Sequence, residues 1–219
     1  MKTYDEKTGL EIENPDLEKG CTYPGQRYVG TERVILRGTV ELYPPDGLGY
    51  DKSVYEDCLW YHEYTDEDKK AAVSDKLSEL SLARNAAITA GAEIQLSDGS
   101  TAQFSYSLED QSNISEMFNA VLMGATSYPY HANGEGCRMY SAADITAIYA
   151  TLSGLKTTQT TYYNQLRQYV QTLETVPEVN AVKYGDALTG EYLETYNTLI
   201  AQAQAEMQKI FAKVTASAG

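Results

Sequence analysis

The last third of the chain constrains the fold most. Ile145, Ile148, Leu152, Leu155, Gln159, Tyr162, Leu166, Tyr169, Leu173 and Val176 recur at alternating steps of three and four, with Gln159 the one polar member. That spacing is a heptad seam, the stripe a helix shows when it repeats every 3.5 residues against a partner. It predicts a long helix closed by Pro177. After a connector containing Tyr184 and Gly185, the same steps return in Leu193, Tyr196, Ile200, Ala203, Met207, Ile210 and Val214. A lone helix of this length is marginal in water, so the stripe must be covered. Two arrangements do that. The two helices can fold back on one another within the chain, or the last helix can pair with copies in other subunits. The expectation taken forward is a homo-oligomer with those seven residues as its interface.

Upstream, the pattern is mixed. Residues 1–30 are polar and broken by Pro15, Gly20, Pro24 and Gly25, which predicts an extended arm ordered only when something holds it. Thr31–Tyr43 alternates like a strand with a kink at Gly38, and Tyr43-Pro-Pro-Asp-Gly47 supplies turn residues. Cys58–Tyr64 is a second strand candidate. Thr65 followed by Asp66, Glu67 and Asp68 marks a helix start, and Gly91 a stop. Asp98-Gly99 and Asn133-Gly134 sit between β-prone runs and predict two hairpins. Each is followed by a capping signal, Ser107-x-x-Asp110 and Ser141-x-x-Asp144. The helix after the first should bury Ile114, Met117, Phe118, Val121 and Leu122. The fold class is thus mixed α+β: an N-terminal arm and short strands, two β-hairpins, and a helix-dominated C-terminal half. The expected domains are an attachment region at 1–64, a hairpin/helix domain at 65–180 and a coiled-coil-like helix at 181–219.

Charge limits the partners. The chain carries 17 basic and 31 acidic residues, a net of −14. Residues 1–70 hold 16 acids against 9 bases and residues 71–219 hold 15 against 8, a net of −7 in each part. Binding to nucleic acid or to an anionic membrane draws on clusters of Lys and Arg, and the sequence has none, so neither partner is expected. The N-terminal residues have no apolar core of a leader peptide, and no run reaches the roughly 20 apolar residues of a membrane span, which predicts assembly in a cytoplasm. Three widely spaced cysteines read as reduced thiols. Tyrosine is abundant, 19 residues against three Phe and one Trp. Its broad face and polar tip suit surfaces that meet other proteins, and equally the caps of small cores.

Catalytic chemistry has little foothold. No phosphate-cradling glycine loop or nucleophile motif occurs, and there are two histidines. Cys58, His62, His131 and Cys137 are the one set of zinc-type ligands, in two short segments whose spacing lacks the usual knuckle. That set would carry a zinc-dependent enzyme; the competing view makes the cysteines small buried groups. The acidic pair Glu109 and Asp110 fits the negative first turn of a helix. No catalytic residue and no cofactor is expected.

From about Gly91 to Leu173 the order of words is distinctive: the hairpin Ala92-Glu-Ile-Gln-Leu96 to Ser105, then Ser107-Leu-Glu-Asp-Gln-Ser-Asn-Ile114, a small-residue helix to Gly124, Pro129-Tyr-His-Ala-Asn-Gly-Glu135, Tyr140-Ser-Ala-Ala-Asp-Ile145, and a long helix with Tyr162-Tyr-Asn-Gln-Leu-Arg-Gln-Tyr-Val170. This resembles a phage and prophage domain of unknown function found in tail-fibre and tail-fibre-assembly proteins, although Glu109–Ile114 departs from that domain's commoner order. The resemblance implies a structural or adaptor component of a bacteriophage tail or baseplate, bound to fibre or neighbouring tail proteins in the virion. It leaves open an assembly chaperone that is absent from the finished particle. It brings no active-site residues.

Overall fold

The computed structural model describes residues 1–35 and 49–217, and these fall into two compact units, Met1–Ala71 with Thr175–Pro177, and Ala72–Glu174 with Glu178–Gly219. The mixed α+β class stands. Among the described residues no helix is long and apolar enough to cross a membrane.

The first unit is a sheet. Strands β1 (Thr3–Asp5), β2 (Glu11–Ile12), β3 (Gly20–Ile35) and β4 (Gly49–Glu63) lie in the order β2-β1-β4-β3. β1 runs parallel to β4, and β3 pairs with β4 antiparallel over fifteen residue pairs. Residues 1–30 are therefore strands and turns, where the sequence suggested an arm awaiting a partner. Few apolar residues suffice because the anchoring is local. Tyr4 is 5% exposed, and Asp5 closes the β1–β2 turn by accepting from the amides of Lys7 and Thr8 at 3.1 and 2.7 Å. The strand expected from Thr31 is β3 as far as Ile35. Its continuation, with Gly38 and the turn at Tyr43–Gly47, lies outside the described residues. Cys58–Glu63 is the end of the much longer β4.

The remaining elements are α1 (Asp66–Thr89), β5 (Ala92–Gln95), β6 (Thr101–Phe104), α2 (Leu108–Leu122), β7 (Ser127–Tyr130), β8 (Arg138–Ser141), α3 (Ala142–Thr172), α4 (Val176–Ala181) and α5 (Gly190–Ser217). Both expected hairpins form, β5–β6 and β7–β8. The first turn is a three-residue loop. Gly99 N donates to Leu96 O at 3.0 Å, Leu96 N to Ser100 O at 2.8 Å, and only Gly99 takes positive φ, +88°. That is a type I turn followed by a glycine bulge, so Asp98 is spared the left-handed conformation that a two-residue Asp-Gly turn would impose.

A motif recurs at three helix starts. Tyr64-Thr65-x-x-Asp68, Tyr106-Ser107-x-x-Asp110 and Tyr140-Ser141-x-x-Asp144 each follow a hairpin and open a helix, so the chain repeats a hairpin–box–helix plan three times. In each box the Ser or Thr oxygen accepts from the Asp amide, and the Asp carboxylate accepts from the cap amide. Two orphan donors are thereby satisfied, and the acid sits at the positive end of the helix. Each Asp also reaches beyond its own helix. Asp68 accepts from His62 Nε2 at 2.9 Å, Asp110 from Ser105 Oγ at 2.8 Å and Tyr130 OH at 3.0 Å, and Asp144 from Ser97 N at 2.7 Å. For Asp110 and Asp144, burial would push the carboxyl pKa up, but these donors outweigh it and hold both below the usual carboxylate range.

Two cores hold the second unit. One gathers Phe104, Tyr106, Ile114, Phe118, Tyr140, Ile145, Ile148 and Leu152 from both hairpins, α2 and the start of α3. The other joins Leu80 to Tyr163, Leu166, Val170, Val179, Val182 and Leu188. Leu122, expected inside, is 46% exposed. α3 ends at Thr172, and Pro177 stands in the first turn of α4, where a missing N–H costs nothing.

α5 packs on α3 within the chain. Tyr169 near the end of α3 meets Tyr192 at the start of α5 at 5.7 Å, while Phe211 near the end of α5 meets Phe118 at 6.0 Å, which itself stacks on Tyr149 at 4.0 Å. The helices are thus antiparallel. The half-buried stripe of α5 is Tyr192, Tyr196, Ile200, Ala203, Met207 and Phe211. It shares four members with the heptad seam, but its steps are mostly four. A straight helix of 3.6 residues per turn packed on one neighbour follows that course, and the tighter 3.5 repeat of a supercoil does not. Leu193 and Ile210 consequently lie on the flanks, 40% and 38% exposed, and the side chain of Val214 is outside the description. The segment expected as a separate C-terminal helix belongs to the second unit.

Gly154 is in mid-α3 beside a cleft of about 300 Å³ whose lining includes Ala150, Thr158, Ile200 and Met207. A Cβ there would meet nothing within 4 Å. Gly154→Ala should therefore stabilise the protein by about 0.5–1 kcal/mol, the usual gain of alanine over glycine in a helix interior. Urea denaturation checks this, and a loss of stability would show that α3 needs glycine there.

Candidate functional site

Among the described residues of the first unit, the exposed aromatic side chains Tyr23, Tyr28 and Tyr55 lie on the β3–β4 ribbon. At about 3.4 Å per residue, fifteen pairs span roughly 50 Å. Alternation along the strands sorts its side chains by face. Tyr28 opposes Tyr55, and Gln26 opposes Asp57, on one face. Arg27 opposes Glu56, and Tyr23 opposes Trp60, on the other. Tyr28 and Tyr55 meet edge to face at 5.8 Å and are 51% and 55% exposed. Tyr28 OH lies 2.6 Å from Thr31 Oγ1, and Gln26 Nε2 donates to Asp57 at 3.0 Å, so the face is ordered by its own cross-links. Tyr23 and Val29 add further exposed apolar surface. A bulge at Val29, between the Tyr28 and Gly30 pairings, interrupts the ladder, and Pro24 removes one amide from β3. On the second face, the Arg27 guanidinium lies 4.5 Å from the centroid of the Tyr4 ring and 3.8 Å from Glu56.

At the base of the ribbon His62 joins three elements. Its Nδ1 meets Glu6 in the β1–β2 turn and its Nε2 meets Asp68 of α1. Glu6 also accepts from Tyr23 OH at 2.9 Å. The hydrogen bonds His62 donates to Glu6 and then to Asp68 raise its pKa above the ordinary 6.5, and the same contacts help hold both carboxyls low. When protonated, an imidazole with both nitrogens engaged by carboxylates is a charged cross-link between them.

The four zinc-type residues are divided between the two units. Cys58 and His62 belong to the first unit, His131 and Cys137 to the second. Cys58 is 1% exposed and His62 is occupied as described. His131 stacks on Tyr130 at 5.1 Å, and Cys137 is exposed. Among the described residues, no group of three or more His, Cys, Asp or Glu is placed to hold a metal ion. The tyrosines divide between core and surface. Tyr4, Tyr61, Tyr106, Tyr130, Tyr140 and Tyr163 are buried, while Tyr23, Tyr28, Tyr55 and Tyr169 are exposed. The ribbon is not legible in residues 1–30 and 58–64 taken separately. Matching the two requires the antiparallel register, which no single stretch displays.

A family model for a domain of unknown function, DUF4376, matches residues 69–186, more than half of the chain. The chain belongs to the DUF4376 family. No curated protein and no solved structure matches it. The DUF4376 segment runs from the first turn of α1 to the connector after α4, and so contains two of the three hairpin–box–helix repeats. The β1–β4 sheet, with its ribbon, and α5 lie outside that segment.

Proposed function

We propose that this DUF4376 protein is a structural or adaptor component of a bacteriophage tail or baseplate, acting by binding other tail or fibre proteins. The observation that carries the reading is the ribbon's tyrosine face. Exposed, mutually ordered aromatic rings on a rigid strand pair supply contact area at low entropy cost, as protein interfaces do. The order hairpin, helix, hairpin, long helix within the family segment, with the words quoted for it, supports the tail association. Homo-oligomers are part of the proposal, with Leu193 and Ile210 of α5 available to other copies.

Mass spectrometry of purified particles of the encoding phage or prophage tests this. A stoichiometric copy number is expected. Absence from particles, with recovery in complex with fibre protein during assembly, would favour the assembly chaperone. Absence from both would sink the tail reading. The double variant Tyr28→Ser, Tyr55→Ser should lower incorporation by about tenfold or more, the loss of at least one hot-spot contact, with the melting temperature little changed.

A further inference from the structure

We propose that His62 is a pH-operated latch that holds the N-terminal hairpin β1–β2 on the edge of β4, closed with the ring protonated and open with it neutral. Apart from the His62 contact, the hairpin is held by Tyr4, whose OH donates to Glu56 at 3.3 Å and whose ring lies 4.5 Å from the Arg27 guanidinium, and by short strand pairings. β1 contributes three residue pairs, β2 only two, and the flanking bonds are Leu59 N to Lys2 O at 2.9 Å and Glu6 N to Tyr61 O at 3.1 Å. Tyr4 packs by Trp60 at 6.1 Å, and the Glu6 carboxylate is the link from the hairpin turn to His62.

Protonated His62 donates from both nitrogens, one to Glu6 and one to Asp68. A neutral ring has a single N–H, so one carboxylate then faces a lone pair. Asp68 cannot retreat, because Thr65 N and Thr65 Oγ1 hold it at 2.8 and 2.6 Å as part of the α1 box. Glu6 sits on a turn and keeps only Tyr23 OH. The neutral tautomer with its proton on Nε2 keeps Asp68, and Glu6 swings out to water, taking the hairpin turn with it. The groups around the ring agree with this sense. The β1–β2 turn brings Glu6 and, next to it, Lys7. α1 brings Asp68. β3 brings Cys21, opposite His62 in register, and Tyr23, while Tyr64 stands edge-on at 6.4 Å. The two carboxylates dominate, and both favour the charged ring. A His pKa raised by folding gives stability that is complete below 6.5 and is lost as pH rises through the raised value.

Trp60 is the one tryptophan of the chain and lies against Tyr4, so its quenching by acrylamide reports the hairpin. The full chain would be followed between about pH 5 and pH 9, with the His62 ring titrated in parallel by NMR. Quenching should rise through a midpoint above 6.5 that coincides with the His62 titration, with far-UV circular dichroism unchanged. In His62→Gln, quenching should be high and flat with pH. In Glu6→Gln, the His62 midpoint should fall towards 6.5 and quenching should already be high at the acid end. Flat quenching in the wild type, or a wild-type step persisting in His62→Gln, would overturn the latch. If His62→Gln does not fold, the surface change Glu6→Gln decides alone, and an unmoved midpoint there overturns it.

Discussion

Gly91→Ala should destabilise the second unit by about 3–5 kcal/mol, among the largest single-site effects available in this chain. Gly91 ends α1 with φ +69°, its amide donating to Ile88 O at 3.1 Å. Alanine in that left-handed conformation costs roughly 1–2 kcal/mol by itself. The larger part comes from the neighbour. A Cβ would stand 1.8 Å from the carbonyl oxygen of Phe104 and 2.8 Å from Ser105 Cα, both backbone atoms. Phe104 is 1% exposed and stacks with Tyr130, so its strand cannot yield without opening the core. Denaturant unfolding measures the loss, and a change below about 1 kcal/mol would mean that α1 and β6 are not so closely apposed.

Asp110→Ala should cost about 3 kcal/mol, more than the roughly 1 kcal/mol typical of an N-cap change. The carboxylate accepts from Ser107 N, Ser107 Oγ, Ser105 Oγ and Tyr130 OH, three of these at 3.0 Å or less through Oδ2 and the fourth through Oδ1. Alanine leaves a buried tyrosine hydroxyl and a helix amide without their acceptor. Ser107→Ala should cost only about 1 kcal/mol, since the other donors remain. The pH dependence has a definite sign. Folding lowers the Asp110 pKa, so this stability is present above the ordinary 3.8 and is lost as pH falls through the lower folded value. Acid unfolding of Asp110→Ala should therefore start from a lower plateau and be shallower than that of the wild type. Equal slopes would separate Asp110 from the acid transition.

The local signals were legible in the sequence. Cap residues and turn glycines act over three or four positions, so Thr65, Ser107, Ser141, Gly91, Asp98-Gly99 and Asn133-Gly134 each stand where single-stretch chemistry puts them. What spans the chain was not. The parallel pairing of Thr3–Asp5 with Leu59–Tyr61 joins segments more than fifty residues apart, and the polar first one has no apolar run to mark it as a strand. The heptad seam and the half-buried stripe of α5 part company for a related reason. Tyr196, Ile200, Ala203 and Met207 satisfy both the 3.5 and the 3.6 repeat over a short stretch, and the two diverge only at the ends, where Leu193 and Ile210 give way to Tyr192 and Phe211. The latch needed three elements to converge on one imidazole, and the sequence separates Glu6 from His62 by most of the first unit.

The interruption of β3 by Pro24 and by the bulge at Val29 bears on how such a chain avoids sticking to its own copies. An uninterrupted edge of this length would offer a row of backbone donors and acceptors to any extended peptide, its own copies included, and would invite fibrous stacking. One missing amide and one break in the ladder spoil that template at two places. Under the proposed function, recognition then falls to the side chains on the ribbon's faces, which can be matched to one partner where a bare backbone edge cannot.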